Sequence, residues 1–178
     1  MDKDSTLSPH RSATHSPDNL RLRALQPGDQ SLLWDLLHIA LWDPPPAPLR
    51  PRAVLDSPAV RIYAEAWGRD GDIGLVGELA DSAEPVGACW MRLIADGHGL
   101  AYVDAATPQL GIAVRPHFQR QGYGRPLMLA ALAAARKAGY ANVALTVHPQ
   151  NPAVALYEHC GFRKTAIRNG YHLMLATL

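Results

Sequence analysis

The sequence predicts a single domain of the α/β class, with strands and helices sharing one core, and three observations carry that prediction. Apolar and polar residues alternate along Leu20-Arg21-Leu22-Arg23-Ala24-Leu25, the period of two that marks a half-buried strand. Soon after, Leu32, Leu33, Leu36, Leu37, Ala40 and Leu41 recur at spacings of three and four, the period of an amphipathic helix. Further on, the apolar run 110–114 passes through a glycine-containing turn into the Ala-rich segment 127–138, so a strand turns directly into a helix.

The frame around these elements is bland and useful. With 178 residues, 48% of them hydrophobic, the chain suits one domain with a sizeable core. Its net charge of +1 gives no electrostatic reason to expect nucleic acid or an anionic membrane, so the expected partner is small. Cys89 and Cys160 are the only cysteines, too few for a disulfide framework or a zinc cluster, and no metal is expected. No apolar run approaches the roughly 20 residues of a membrane span, and the polar N-terminus lacks the apolar core of a signal peptide. The expectation is a soluble, cytoplasmic protein. Residues 1–19 carry almost no aliphatic content and are expected to be a disordered tail, in which His10 and His15 are given no role. The domain is then 20–178.

After the first strand, Pro27-Gly28-Asp29 breaks the pattern and a helix is expected over 30–42. Asp43-Pro44-Pro45-Pro46-Ala47-Pro48 cannot continue it, because proline lacks the N–H and restricts its predecessor. A second helical pattern runs over 51–67 and stops at Gly68-Arg69-Asp70-Gly71. Strands follow at 73–79, 85–94 and 110–114, the first two as a hairpin. In the next helix Leu127, Ala131, Ala134 and Ala138 are expected to line the side facing the sheet, and Gly139 supplies the C′ stop. Residues 141–147 read as a buried strand. Asn151 is an N-cap, Pro152 fits the first helical position and Gly161 the C′ position, so a helix of about ten residues is expected. Strands at 162–166 and 171–178, joined by Asn169-Gly170, close the domain.

Gln119-Arg120-Gln121-Gly122-Tyr123-Gly124 occupies the strand-to-helix turn. Glycines there let the backbone approach a ligand, and the first helical turn aims unpaired N–H groups and a positive dipole end at an anion. The turn reproduces a Gln/Arg-x-x-Gly-x-Gly/Ala signature. Asn151, Ala153, Leu156, Tyr157, Gly161 and Phe162 form a second signature downstream. Together with the element order, the two resemble the GNAT superfamily of acetyl-CoA-dependent N-acetyltransferases over 20–178. The resemblance implies that superfamily's α/β (α+β) fold, a central mixed, mostly antiparallel sheet flanked by helices.

It also implies roles. Ile112, Ala113 and Val114 are expected to pair through their backbone with the pantetheine arm and acetyl carbonyl of acetyl-CoA, the expected co-substrate. The N–H groups of Gln119, Arg120, Gln121, Gly122, Tyr123 and Gly124 are expected to hold its pyrophosphate. Arg120 and Arg125 are either phosphate contacts or solvated surface arginines. Pro126, where relatives have ordinary helix formers, is expected to shorten the helix start and leave the cradle intact. Asn151 caps its helix and, by resemblance, also bonds the pantetheine arm. Tyr157 reads either as a core aromatic or, by resemblance, as the general acid that protonates the departing CoA thiolate.

The base is unassigned. An alkyl amine of pKa ~10 is neutral in about one molecule per thousand at pH 7, so a base or selection of the neutral form is needed. Relatives often have a glutamate in a Pro-Glu-Leu context, whereas this chain has Pro108-Gln109-Leu110, and an amide is no base. Gln109 instead is expected, if it sits in the acceptor site, to orient an amine through its carbonyl oxygen; Glu78, Asp104 and His98 are the substitutes. The acceptor, a small-molecule or peptide amine, is expected between the first two helices, the Pro-rich loop and the 96–108 loop, with Trp42, Tyr63, Trp67, Trp90 and Tyr102 available to line it. A nucleotide P-loop is set aside, since Arg125-Pro126 stands where a Walker motif needs Lys-Ser/Thr. The alternative is a catalytically degenerate acetyl-CoA-binding module. A homodimer is a further expectation of the resemblance.

Overall fold

The computed structural model describes residues 17–95 and 97–178. One sheet of seven strands organises them: β1 (Leu20–Ala24), β2 (Ile73–Leu79), β3 (Pro85–Arg92), β4 (Gln109–Val114), β5 (Asn142–Val147), β6 (Arg163–Arg168) and β7 (Tyr171–Thr177). Helices α1 (Gln30–Ala40), α2 (Pro58–Arg61), α3 (Gly124–Lys137) and α4 (Ala153–His159) flank it. The strand order is β1-β2-β3-β4-β5-β7-β6, with every neighbouring pair antiparallel except β4 and β5. That one parallel pair follows from the crossover through α3, since a short turn cannot return a strand in the same direction. The sheet is therefore mixed and mostly antiparallel, as the resemblance implies.

Residues 1–16 of the expected tail lie outside the described residues. Pro17–Asn19 form a 3-10 turn, and the Asn19 carbonyl accepts from the Ala80 N–H at 2.9 Å. Pro17–Asn19, counted with the expected tail, are thus joined to the sheet.

Alternation along the central strands builds two cores. Val76, Ala88, Trp90 and Ala113 face α1, where Leu33, Leu36 and Leu37 meet them with Leu55, Ala64 and Trp67. Cys89, Met91 and Leu110 point to the other face, against Leu127, Met128, Ala131, Leu132 and Ala135 of α3 and Tyr157 of α4. Leu127 and Ala131 of the predicted α3 face are buried, but the face is rotated towards its C-terminal end, where Ala135 is buried, Ala134 half-buried and Ala138 exposed. Larger Met128 and Leu132 bury more apolar area than a stripe of alanines, and packing follows area. Pro126 does not shorten α3, which begins at Gly124. A residue in the first turn has no intrahelical acceptor for its N–H, so proline costs nothing there.

The predicted helix over 51–67 is broken. Arg52–Asp56 is a 3-10 segment, Ser57 is extended (φ −65°, ψ 127°) and α2 spans four residues. Pro58 is the reason, because its ring disfavours the helical conformation for the residue before it. Side chains replace the missing helix bonds. Arg92 donates from Nη1 to the carbonyls of Ile62 (3.1 Å) and Glu65 (2.8 Å), and Gln30 donates to the Ala64 carbonyl (2.9 Å) while accepting from the Trp67 N–H (2.8 Å). Arg92 is itself neutralised by Asp72, bonded from Nε at 3.0 Å and Nη2 at 2.5 Å, with both side chains under 5% exposed. At the far end Asn169 (φ 50°) and Gly170 (φ 81°) turn β6 into β7, the paired positive angles of a type I′ hairpin.

Candidate active site

β4 and β5 meet at a single residue pair, Gln109 with Ala144, tied by the Ala144 N–H to the Pro108 carbonyl at 3.0 Å. Beyond it the strands part. The gap opens into a cavity of about 830 Å³, walled by Leu110, Gly111 and Ile112 of β4 and by Leu145, Thr146 and Val147 of β5. That volume lies within the range of small-molecule sites. Asn151 and Tyr157 line one part of it, and the end of α1, α2 and the 98–101 loop line another.

The turn after β4 is braced by its own glutamines. Gln119 Nε2 donates to the Val114 carbonyl (2.9 Å) and Gln121 Nε2 to the His117 carbonyl (2.7 Å). Arg120 (φ 57°) and Gly122 (φ 88°) take left-handed conformations between them. The backbone N–H groups of Arg120, Gln121, Gly122, Tyr123, Gly124 and Arg125 find no acceptor among the described residues. A row of free N–H groups entering a 14-residue helix fits a pyrophosphate. Tyr123 serves this turn from beneath: its ring is 1% exposed and stands edge-on to Phe118 at 5.9 Å. Arg120 and Arg125 are exposed and form no salt bridge among the described residues. Ile112 lines the cavity, whereas the Ala113 side chain is buried on the α1 face, which leaves only its backbone for a ligand.

Asn151 Oδ1 accepts from the Ala153 N–H at 2.9 Å, so it caps α4 as its residue type predicts. The helix itself is seven residues, shorter than predicted. Tyr157, 9% exposed, packs its ring against Phe162 at 6.1 Å and lines the cavity. Its hydroxyl has no protein partner among the described residues. Burial, and then the neighbouring Cys89 thiol, push that hydroxyl above the range of a free phenol. It therefore stays protonated across neutral pH.

Gln109 is not an amine-orienting group. Its side chain is 1% exposed, accepts from the Tyr63 hydroxyl at 3.1 Å and donates to the His98 carbonyl at 2.8 Å. Tyr63 also accepts from the Leu100 N–H at 3.0 Å, so the pair pins the 98–101 loop to the sheet. Gly99 is required there, since a Cβ would lie 2.3 Å from Gln109 Oε1. Glu78 is bound by Arg21 (2.8 Å) and Arg23 (2.6 Å), which hold its carboxyl below the usual range, and it lies off the cavity. Asp104 bonds Thr107 and the Ala106 N–H, which lower its pKa, and faces a different hollow. His98 does line the cavity.

Of the expected aromatic lining, Trp42, Tyr63 and Trp90 are in place. Trp67 instead sits in the core with its indole donating to the Leu25 carbonyl at 3.0 Å, and Tyr102 lies off the cavity. Sequence reasoning missed Arg50, His148, Asn169 and Tyr171, which also line it. His148 lies 5.6 Å from the Trp42 ring and 5.7 Å from that of Tyr171. Arg50 donates to Tyr171 Oη at 3.3 Å while pairing both oxygens of Asp43 at 2.6 Å. Only His148, three residues before Asn151, carried a signal in its position. His148 Nδ1 accepts from the Gln150 N–H at 3.1 Å, which occupies the lone pair a base needs and places the neutral ring's proton on Nε2.

The chain is similar to known N-acetyltransferases. The bS18-alanine N-acetyltransferase of Escherichia coli (strain K12) is 42% identical over 71 residues, 39% of this chain and 47% of that protein. Its counterpart in Salmonella typhimurium is 36% identical over 89 residues, 46% of this chain and 60% of that protein. The matches thus span about half the length of these relatives. Among solved structures, PaiA N-acetyltransferase from Thermoplasma acidophilum, in complex with coenzyme A, superposes with a TM-score of 0.63 at 16% identity over 89% of this chain and 99% of that one. Spermidine/spermine N-acetyltransferase SpeG from Vibrio cholerae gives 0.59 at 22% identity over 90% and 94%; at such identities the likeness is one of fold. Residues 34–162 match the Acetyltransferase (GNAT) family, and the chain belongs to that family.

Proposed function

We propose that this protein transfers the acetyl group of acetyl-CoA to a primary amine by direct attack, with Tyr157 as general acid. The observation that carries the reading is the parting of β4 and β5, with Asn151 and Tyr157 lining the same cavity and a row of free N–H groups at the end of β4. The cradle N–H groups, aided by Arg120 and Arg125, hold the pyrophosphate, and the backbone of Ile112, Ala113 and Val114, with Asn151, holds the pantetheine arm. The amine nitrogen bonds the acetyl carbon, the C–S bond breaks, and the Tyr157 proton passes to sulfur as the amine loses its own proton to water. The relatives' names support an amine acceptor, since they specify an alanine of ribosomal protein bS18 and spermidine or spermine. The same reading places the protein in the cytoplasm and allows a homodimer through β6, an outer strand whose Ile167 is 71% exposed.

Titration calorimetry with acetyl-CoA tests the donor site. The parent is expected to bind, and Gly122→Glu to lose at least about a hundredfold in affinity, because it puts a carboxylate and a strained left-handed residue in the cradle. No binding to the parent sinks the assignment. Binding without acetylation of any amine would favour the degenerate module, which the lack of a carboxylate among the described cavity residues keeps as a second reading.

The pH profile follows from the same groups. With water as the acceptor of the amine's proton, kcat/KM is expected to rise about tenfold per pH unit up to the amine's own pKa near ~10. The acid is lost only when Tyr157 deprotonates. Since burial raises that pKa, no falling limb is expected below about pH 10. A plateau starting near pH 6.5 would instead reveal a working imidazole.

A further inference from the structure

We propose that the acceptor site selects a primary amine carried on an apolar body with no second positive charge, and so discriminates against polyamines. The inference rests on the acetyl-transfer reading above and adds the substrate class. Among the described residues that line the cavity there is no Asp and no Glu. Away from β4 and β5, Leu37, Leu41, Val60 and Ile62 supply aliphatic wall, and the polar side chains beside them include no acid. The carboxylate of Asp43, beside this region, is consumed by Arg50 in two bonds of 2.6 Å.

The reacting nitrogen and a second nitrogen differ in what burial does to them. The first must lose its proton before it attacks, so a neutral amine leaves no buried charge behind. A distant ammonium stays charged, and an ammonium taken from water without a partner is strongly disfavoured. Rings of Trp42, Tyr63, Trp90, His98, His148 and Tyr171 supply the polarisable surface. A cation over such a ring gains less than the cost of stripping its water, and here the Arg50 guanidinium already stands 3.3 Å from the Tyr171 oxygen. A second ammonium reaching that wall meets a cation.

Heptylamine and 1,6-diaminohexane have nearly the same length and differ in a terminal methyl against an ammonium. Acetyl-CoA binding is measured first. At pH 8 both amines are then compared in kcat/KM and in calorimetric binding to the protein saturated with CoA. Heptylamine is expected to be favoured at least tenfold in both. Ala59→Glu, at an exposed position that lines the cavity, is expected to shrink that preference at least tenfold with an unchanged circular dichroism spectrum. Equal or better use of the diamine by the parent overturns the proposal, as does binding of neither amine. Failure to bind acetyl-CoA sinks the transferase reading instead, and the amine preference is then read on the free protein.

Discussion

Tyr157→Phe is expected to lower kcat by two to four orders of magnitude while acetyl-CoA affinity and stability stay near those of the parent. The size follows from general-acid catalysis, which contributes typically ~10²- to 10⁴-fold, or about 3–5 kcal/mol of barrier. Selectivity follows from the environment. The substitution removes one oxygen that has no protein partner among the described residues, so no buried donor or acceptor is orphaned. The ring remains against Phe162 within the core of Cys89, Leu145 and Val147. Steady-state kinetics beside acetyl-CoA calorimetry makes the check. A kcat within tenfold of the parent with a raised KM would make Tyr157 a packing residue that shapes the site, and the general acid would have to be sought elsewhere.

Asp72→Ala is expected to destabilise the fold by about 3–5 kcal/mol, the cost of leaving a buried charge without its counterion. Arg92 is 2% exposed at its side chain and stacks 5.3 Å from the Trp67 ring, so its guanidinium cannot turn to water. Asp72 also accepts from the Gly68 and Arg69 N–H groups at 3.1 and 3.0 Å, which ties the turn before β2 to the same pair. Thermal unfolding should show a midpoint lower by about 6–20 °C. The effect reaches the site, because the carbonyls that Arg92 holds belong to the segment carrying Tyr63 and through it the 98–101 loop. The double replacement Arg92→Met with Asp72→Leu is expected to be milder than Asp72→Ala alone, since it removes both charges together. A midpoint unchanged by Asp72→Ala would show that the pair contributes nothing to the fold.

The sheet and its long helices were legible because each rests on a local period. Alternation placed β1, spacings of three and four placed α1 and α3, and Asn169-Gly170 placed the last turn. The errors sit where one residue or a tertiary partner overrides a period. Pro58 splits the pattern over 51–67, and Arg92, which comes later in the chain, makes the split tolerable by satisfying the freed carbonyls. Burial of Met128 and Leu132 with Ala131 and Ala135 rotated the α3 face away from Ala134 and Ala138. At the site, the cradle was readable because glycines and polar residues record a backbone conformation in the sequence.

The sequence by itself determined the fold class, the order of elements, the cradle after β4 and the register of Asn151 and Tyr157. All of these depend on neighbours within a few positions, where chain geometry and residue type act directly. The tertiary structure alone decided that Gln109 is a buried strut for Tyr63 and His98, that Glu78 is spent on two arginines, and that Arg50, His148 and Tyr171 line the cavity. Each depends on side chains brought together from distant parts of the chain, where burial and a partner's charge decide whether the same residue type is a reagent or a strut.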